Sequence, residues 1–102
     1  MAFFDCQSGG TTNITFTSIY ANSGTGYSYT YTCTGNYDYI VASKNGAYNS
    51  GSITSSMSAI ATIGVGLGTE YIYQDIQGKT ITYTAPTASG TCGMGIWGIT
   101  LD

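Results

Sequence analysis

Apolar and polar positions alternate along this chain with a period of two, in short runs broken by Gly, Asn and Ser. The clearest run is Tyr27-Ser-Tyr-Thr-Tyr-Thr-Cys33. In extended backbone, successive side chains point to opposite faces, so Tyr27, Tyr29, Tyr31 and Cys33 share one face and Ser28, Thr30 and Thr32 the other. The run Lys79-Thr-Ile-Thr-Tyr-Thr-Ala85 likewise sets Ile81 and Tyr83 against Thr80, Thr82 and Thr84. Gln77-Gly78, between Ile76 and Lys79, suits a tight hairpin turn because Gly accepts positive φ. The terminal run Gly93-Met-Gly-Ile-Trp-Gly-Ile-Thr-Leu101 predicts a strand buried on both faces, its glycines leaving room for neighbouring backbone or for Trp97.

The pattern predicts strands over Thr12–Ser18, Tyr27–Cys33, Tyr37–Ser43, Ser52–Ser55, Ile60–Ile63, Tyr71–Asp75, Lys79–Ala85 and Met94–Leu101. Met57 to Val65 is ambiguous, since Met57, Ile60, Ala61 and Val65 could also line a helical turn; strand or irregular structure is the expectation there. Short strands with turn signals about ten residues apart predict a sandwich rather than βαβ units. The fold class expected is therefore all-β: a single antiparallel β-sandwich, jelly-roll-like, of about eight strands. It occupies residues 11–102 behind an N-terminal arm of residues 1–10, with Gly9-Gly10 as a flexible joint. Ile40, Ile72, Ile81, Ile96 and Trp97 are the expected core. No internal repeat or low-complexity tail interrupts this organisation.

Composition reinforces the reading. Tyr (10) and Gly (15) are abundant, Leu is confined to Leu67 and Leu101, and helix formers are scarce. Only 7% of residues are charged, against about a quarter in ordinary domains. Lys44 and Lys79 are the positive charges, and the net charge is -3. Nucleic-acid binding requires clustered cations to neutralise phosphates, as does attachment to an anionic membrane, so neither partner is expected. There is no long apolar run of membrane-spanning length. Met1-Ala-Phe-Phe-Asp-Cys6 lacks the basic and apolar regions of a secretion signal. The expectation is a protein made in the cytosol without individual export, or a chain that starts at a processed end. The sequon Asn13-Ile14-Thr15 is then idle.

Catalytic and cofactor chemistry finds little material. With no His, Ser-His-Asp and Cys-His arrangements are excluded. Asp38, Glu70 and Asp75 could converge as a carboxylate pair, but a small sandwich with short loops offers little cleft for one. Cys6, Cys33 and Cys92 are too scattered for a metal site and read as small core residues, with one disulfide plus a spare thiol as the alternative. Gly64-Val-Gly-Leu-Gly68 does not open a helix in a basic setting, so it reads as a turn; Gly78-Lys79-Thr80 lacks the Gly of a Walker loop, Tyr73 standing in its place. No catalytic residue, cofactor or metal is expected. Two non-catalytic features remain. Tyr37, Tyr39, Tyr48, Tyr71 and Tyr73 are candidates for stacking on a glycan or a partner, weighed against tyrosines that fill the core and reach the rim with their hydroxyls. Phe3 and Phe4 form an apolar patch in the arm, a candidate particle anchor, weighed against their beginning an edge strand.

Tyr29-Thr-Tyr-Thr-Cys-Thr-Gly-Asn-Tyr-Asp-Tyr-Ile-Val-Ala-Ser43, Tyr73-Gln-Asp-Ile-Gln-Gly-Lys-Thr-Ile-Thr-Tyr83 and Gly95-Ile-Trp-Gly-Ile99 together resemble small β-sandwich virion proteins and fibre-tip domains of phages and prophages of gut Firmicutes. The resemblance spans residues 27–101. It implies a non-enzymatic virion protein with a jelly-roll-like fold, often trimeric, on the head as decoration or fibre or at the tail. Its partners would be itself and capsid or tail proteins, and it would be released from the host cytoplasm by lysis. Low charge agrees, because weak self-repulsion favours association. The competing classes are a carbohydrate- or receptor-binding module, which should bind a host surface glycan as an isolated domain, and a bacterial surface or pilus-like subunit, which needs an export signal.

Overall fold

The alternation seen in the sequence becomes eight antiparallel strands in a computed structural model, which describes residues 13–46, 51–65, 68–87 and 92–102. They are β1 (Ile14–Ser23), β2 (Ser28–Thr32), β3 (Tyr39–Gly46), β4 (Ser52–Ser55), β5 (Ala61–Val65), β6 (Gly68–Gln74), β7 (Thr80–Thr84) and β8 (Cys92–Leu101). Seven lie where expected to within a few residues. The first runs past its expected end at Ser18 to Ser23, held by pairing to the equally long β8. The ambiguous segment resolves into bends over residues 56–60 and then β5.

Two sheets result, one of five strands in the order β1-β8-β3-β6-β5 and one of three in the order β2-β7-β4. The pairing is nested: β1 with β8, β2 with β7, β3 with β6. Jelly rolls nest their strands in this way, and this chain departs from the scheme where β4 would meet β5. β4 lies beside β7 but does not meet β5, which folds back on β6 with Val65 opposite Gly68. Gly64 and Gly68 thus lie at the paired ends of β5 and β6. Gln77-Gly78 makes the expected tight turn, with Lys79 N donating to Ile76 O at 3.0 Å and Gly78 at φ 87°. It does not close a hairpin, however. The strands on either side belong to different sheets, so this turn carries the chain across the sandwich.

The core fills the space between the sheets. Ile40, Ile81, Tyr83 and Ile96 are fully buried, joined by Tyr31, Cys33, Ala42, Tyr73 and Met94. Most occupy inward positions of their strands, as on β7, where Ile81 and Tyr83 are inward and Thr82 pairs with Thr30 across the outer surface, Oγ1 to Oγ1 at 2.9 Å. Tyrosine supplies volume that Leu and Val supply elsewhere. Tyr20 of β1 stacks on Tyr29 of β2 with ring centroids 3.6 Å apart, tying the two sheets at one edge. A bulge between Ser18 and Tyr20 makes that contact available by turning Tyr20 inward.

Two residues expected in the core are elsewhere. Ile72 and Trp97 are only partly buried, because Val41 pairs with both and all three point to the side of the large sheet away from β2, β7 and β4. The expectation that β8 is covered on both faces is corrected in the same way. Its inner face meets the second sheet, and among the described residues no strand lies over its outer face.

Candidate interaction surface

Registers across the large sheet place its outward side chains in rows, since directly paired residues share a face. One row runs Phe16, Ile99, Tyr39, Gln74. The next runs Ser18, Trp97, Val41, Ile72, Ala61. A third runs Ala21, Gly95, Ser43, Glu70, Ile63. The first two rows are almost wholly apolar, and Glu70 brings a charge to one end of the face. Among the described residues no strand lies over it. Phe16 is 63% exposed, and Ile60 and Ile63 at the opposite edge are 54% and 45% exposed.

The face is shaped. Two adjoining depressions, about 290 and 410 Å³, share Ile72 and Ile99 in their linings. Tyr39, Ile60 and Ala61 complete the first; Phe16, Val41, Glu70 and Trp97 complete the second. The Trp97 ring lies back along β8 over Gly95, where a Cβ would stand 2.3 Å from the ring. Glycine there lets the indole lie flat on the sheet instead of projecting from it. The field is contiguous in register, with Val41 and Ile99 buried at 9% and 6% at its centre and Phe16, Tyr39, Ile72 and Trp97 partly or largely exposed around them, which makes it a candidate interaction surface.

Of the tyrosines singled out in the sequence, the four that are described do not all share one face. Tyr39 stands on the outer face. Tyr73 is buried at 3% exposure, and Tyr71 and Tyr37 pack against the core from its margin. Tyr48, Phe3, Phe4 and Cys6 lie outside the described residues. The three carboxylates do not converge either. Asp75 Oδ2 accepts from Tyr37 N at 2.7 Å, and Asp38 Oδ2 accepts from Leu101 N at 2.7 Å. Both thereby clamp backbone at one end of the sandwich, while Glu70 sits on the outer face. Cys33 is a free, buried thiol. Burial, reinforced by the charge of Asp75, pushes it up to about 11, so it stays protonated and a poor nucleophile. No cluster of metal-ligating residues forms among the described residues.

The signal for the outer face was present in Tyr39-Ile-Val-Ala42 and Ile96-Trp-Gly-Ile99, which are apolar at consecutive positions and so on both faces. Such runs ordinarily mean a strand covered twice. Whether a second layer exists is a matter of topology, which the runs do not carry.

Fold and surface together define an all-β sandwich domain with one face covered by its own second sheet and the other left apolar. Compared with protein-family models, curated proteins and solved structures, the chain matched none.

Proposed function

We propose that this chain is a structural protein of a bacteriophage particle, a capsid decoration, head-fibre or tail-attached component that acts by oligomeric assembly and not by catalysis. The observation that carries this reading is the apolar outer face of the five-stranded sheet. A domain that spends two rows of Ile, Val, Phe, Tyr and Trp on an outward surface is built to be covered, and coverage in an assembly meets that need. The sequence pattern of residues 27–101 and the sandwich fold support the same class, and low net charge favours close packing of copies, with a trimer as the expected state. Asp38 and Asp75 hold backbone amides, and Glu70 stands apart from them on the outer face, so these three carboxylates do not form a pair.

The test is made on particles. Phage particles from a producing lysate are purified on a density gradient and their proteins quantified by mass spectrometry. The chain should band with the major capsid or tail proteins at a fixed copy number per particle. Recovery only from the free protein fraction would defeat the reading, and specific binding of a host glycan by that free protein would replace it with a carbohydrate-binding module.

A further inference from the structure

The proposed function leaves open what covers the apolar face. We infer that further copies of this chain cover it, so that the outer faces of the five-stranded sheets meet in the interior of a homo-oligomer. This deepens the structural reading above and rests on it.

Size is the first argument. Five strands about 4.8 Å apart and averaging about eight residues at 3.3 Å each make a face of roughly 600 Å² in plan. Side-chain relief raises the accessible area above that, towards the ~800 Å² per partner of a standard stable interface. The face as a whole therefore approaches the size of a standard stable interface, with the apolar rows as its centre and the Glu70 row as its rim.

Shape is the second. Where copies turn one face towards a shared symmetry axis, that face must supply both the projections and the recesses, whether the contact is two-fold or a ring. Here Phe16 projects from the edge strand at 63% exposure, and the two depressions lie further in, floored by Ile72 and Ile99. Knob and recess belong to one surface.

Charge is the third. The apolar rows around Tyr39, Val41, Ile72, Trp97 and Ile99 hold no ionisable carboxylate or amine, and Glu70 stands in the row at one end. Glu70 lines the second depression from the adjoining row and is exposed, so copies meeting through the apolar rows place it at the edge of the contact, where it stays hydrated. Like charges are thus kept apart, and the low net charge adds little repulsion. A cationic or anionic partner would find nothing here to pair with beyond Glu70.

Purified full-length protein tests this by sedimentation equilibrium across nanomolar to micromolar concentrations, with Trp97, the chain's sole Trp, as a reporter. Association should shift its emission to shorter wavelength and protect it from acrylamide. Phe16→Lys and Ile63→Lys alter exposed positions, so the fold should survive, as circular dichroism will check. Phe16→Lys should raise the dissociation constant at least tenfold and expose Trp97 to quencher. Ser28→Lys, exposed on the outer side of the three-stranded sheet, should leave association unchanged. A monomer at all concentrations overturns the inference, as does an oligomer insensitive to both face variants. A monomer that nevertheless bands with particles defeats this inference alone; an oligomer absent from particles defeats the virion reading alone.

Discussion

Gly98 offers the sharpest check on the packing. It lies on the inner face of β8 opposite Ile40, and the Tyr37 ring lies across it. A Cβ at this position would stand 2.4, 2.5 and 2.6 Å from Cδ1, Cε1 and Cγ of Tyr37. Carbon atoms pack at about 3.5–4.0 Å, so Gly98→Ala requires the ring to retreat by about 1 Å. The atoms involved include Cγ, next to the backbone, and that backbone is pinned by the Asp75 carboxylate on Tyr37 N. The ring cannot simply swing its far end aside. Overpacking of this kind costs roughly 1–3 kcal/mol. Replacing Gly in a strand recovers about 0.5–1 kcal/mol of backbone entropy, so the net loss should be about 1–2 kcal/mol. In a domain of this size that lowers Tm by roughly 5–15 °C. Thermal unfolding of the wild type, Gly98→Ala, Tyr37→Ala and the double variant supplies the test. With the ring removed, the added methyl should cost little, giving a coupling of about 1 kcal/mol or more between the sites. Unchanged or raised stability in Gly98→Ala, or strict additivity in the cycle, would refute the seating of Tyr37 on Gly98.

Trp97→Ala should cost the isolated domain about 1–2 kcal/mol in denaturant, less than the ~3–5 kcal/mol of a fully buried aromatic, and a larger loss would place it in the core after all. Ile81→Ala, at a fully buried position, should cost about 2–5 kcal/mol in the same titration. In a variant whose only cysteine is Cys33, the native thiol should resist a disulfide reagent at neutral pH and react at once on unfolding. Because its pKa is raised in the folded state, the unfolded chain ionises first: stability is complete below pH 9.0 and declines as pH rises towards about 11. Tyr31 and Tyr73, both raised by burial, extend that loss above pH 10.0, and a flat stability profile from pH 8 to 11 would contradict all three assignments. Removing residues 2–10 should abolish attachment to particles while leaving Tm and oligomeric state nearly unchanged, if Phe3 and Phe4 anchor the domain; a truncated protein that unfolds would assign them to its own sheet.

Strand content and most inward positions were legible in the sequence for a local reason. A two-residue period records which side of a strand is apolar, so Tyr31, Cys33, Ile81 and Tyr83 could be assigned inward before any partner strand was known. The fit of glycine to Trp97 was legible too, since side chains two apart on a strand share a face. Three things depended on the tertiary structure. The Gln77-Gly78 turn is chemically a tight reversal in either setting, and only the sheet assignment of its flanking strands makes it a crossing between layers. The inward turn of Tyr20 depends on a bulge fixed by pairing with β8, more than seventy residues away along the chain. Finally, Tyr39-Ile-Val-Ala42 and Ile96-Trp-Gly-Ile99 specify two apolar faces without naming what covers each. The second sheet takes the side of Ile40 and Ile96. Trp97, Val41 and Ile72 then gather on the other side because antiparallel register aligns them there, and a surface assembled from strands distant in sequence exists only once those strands have paired.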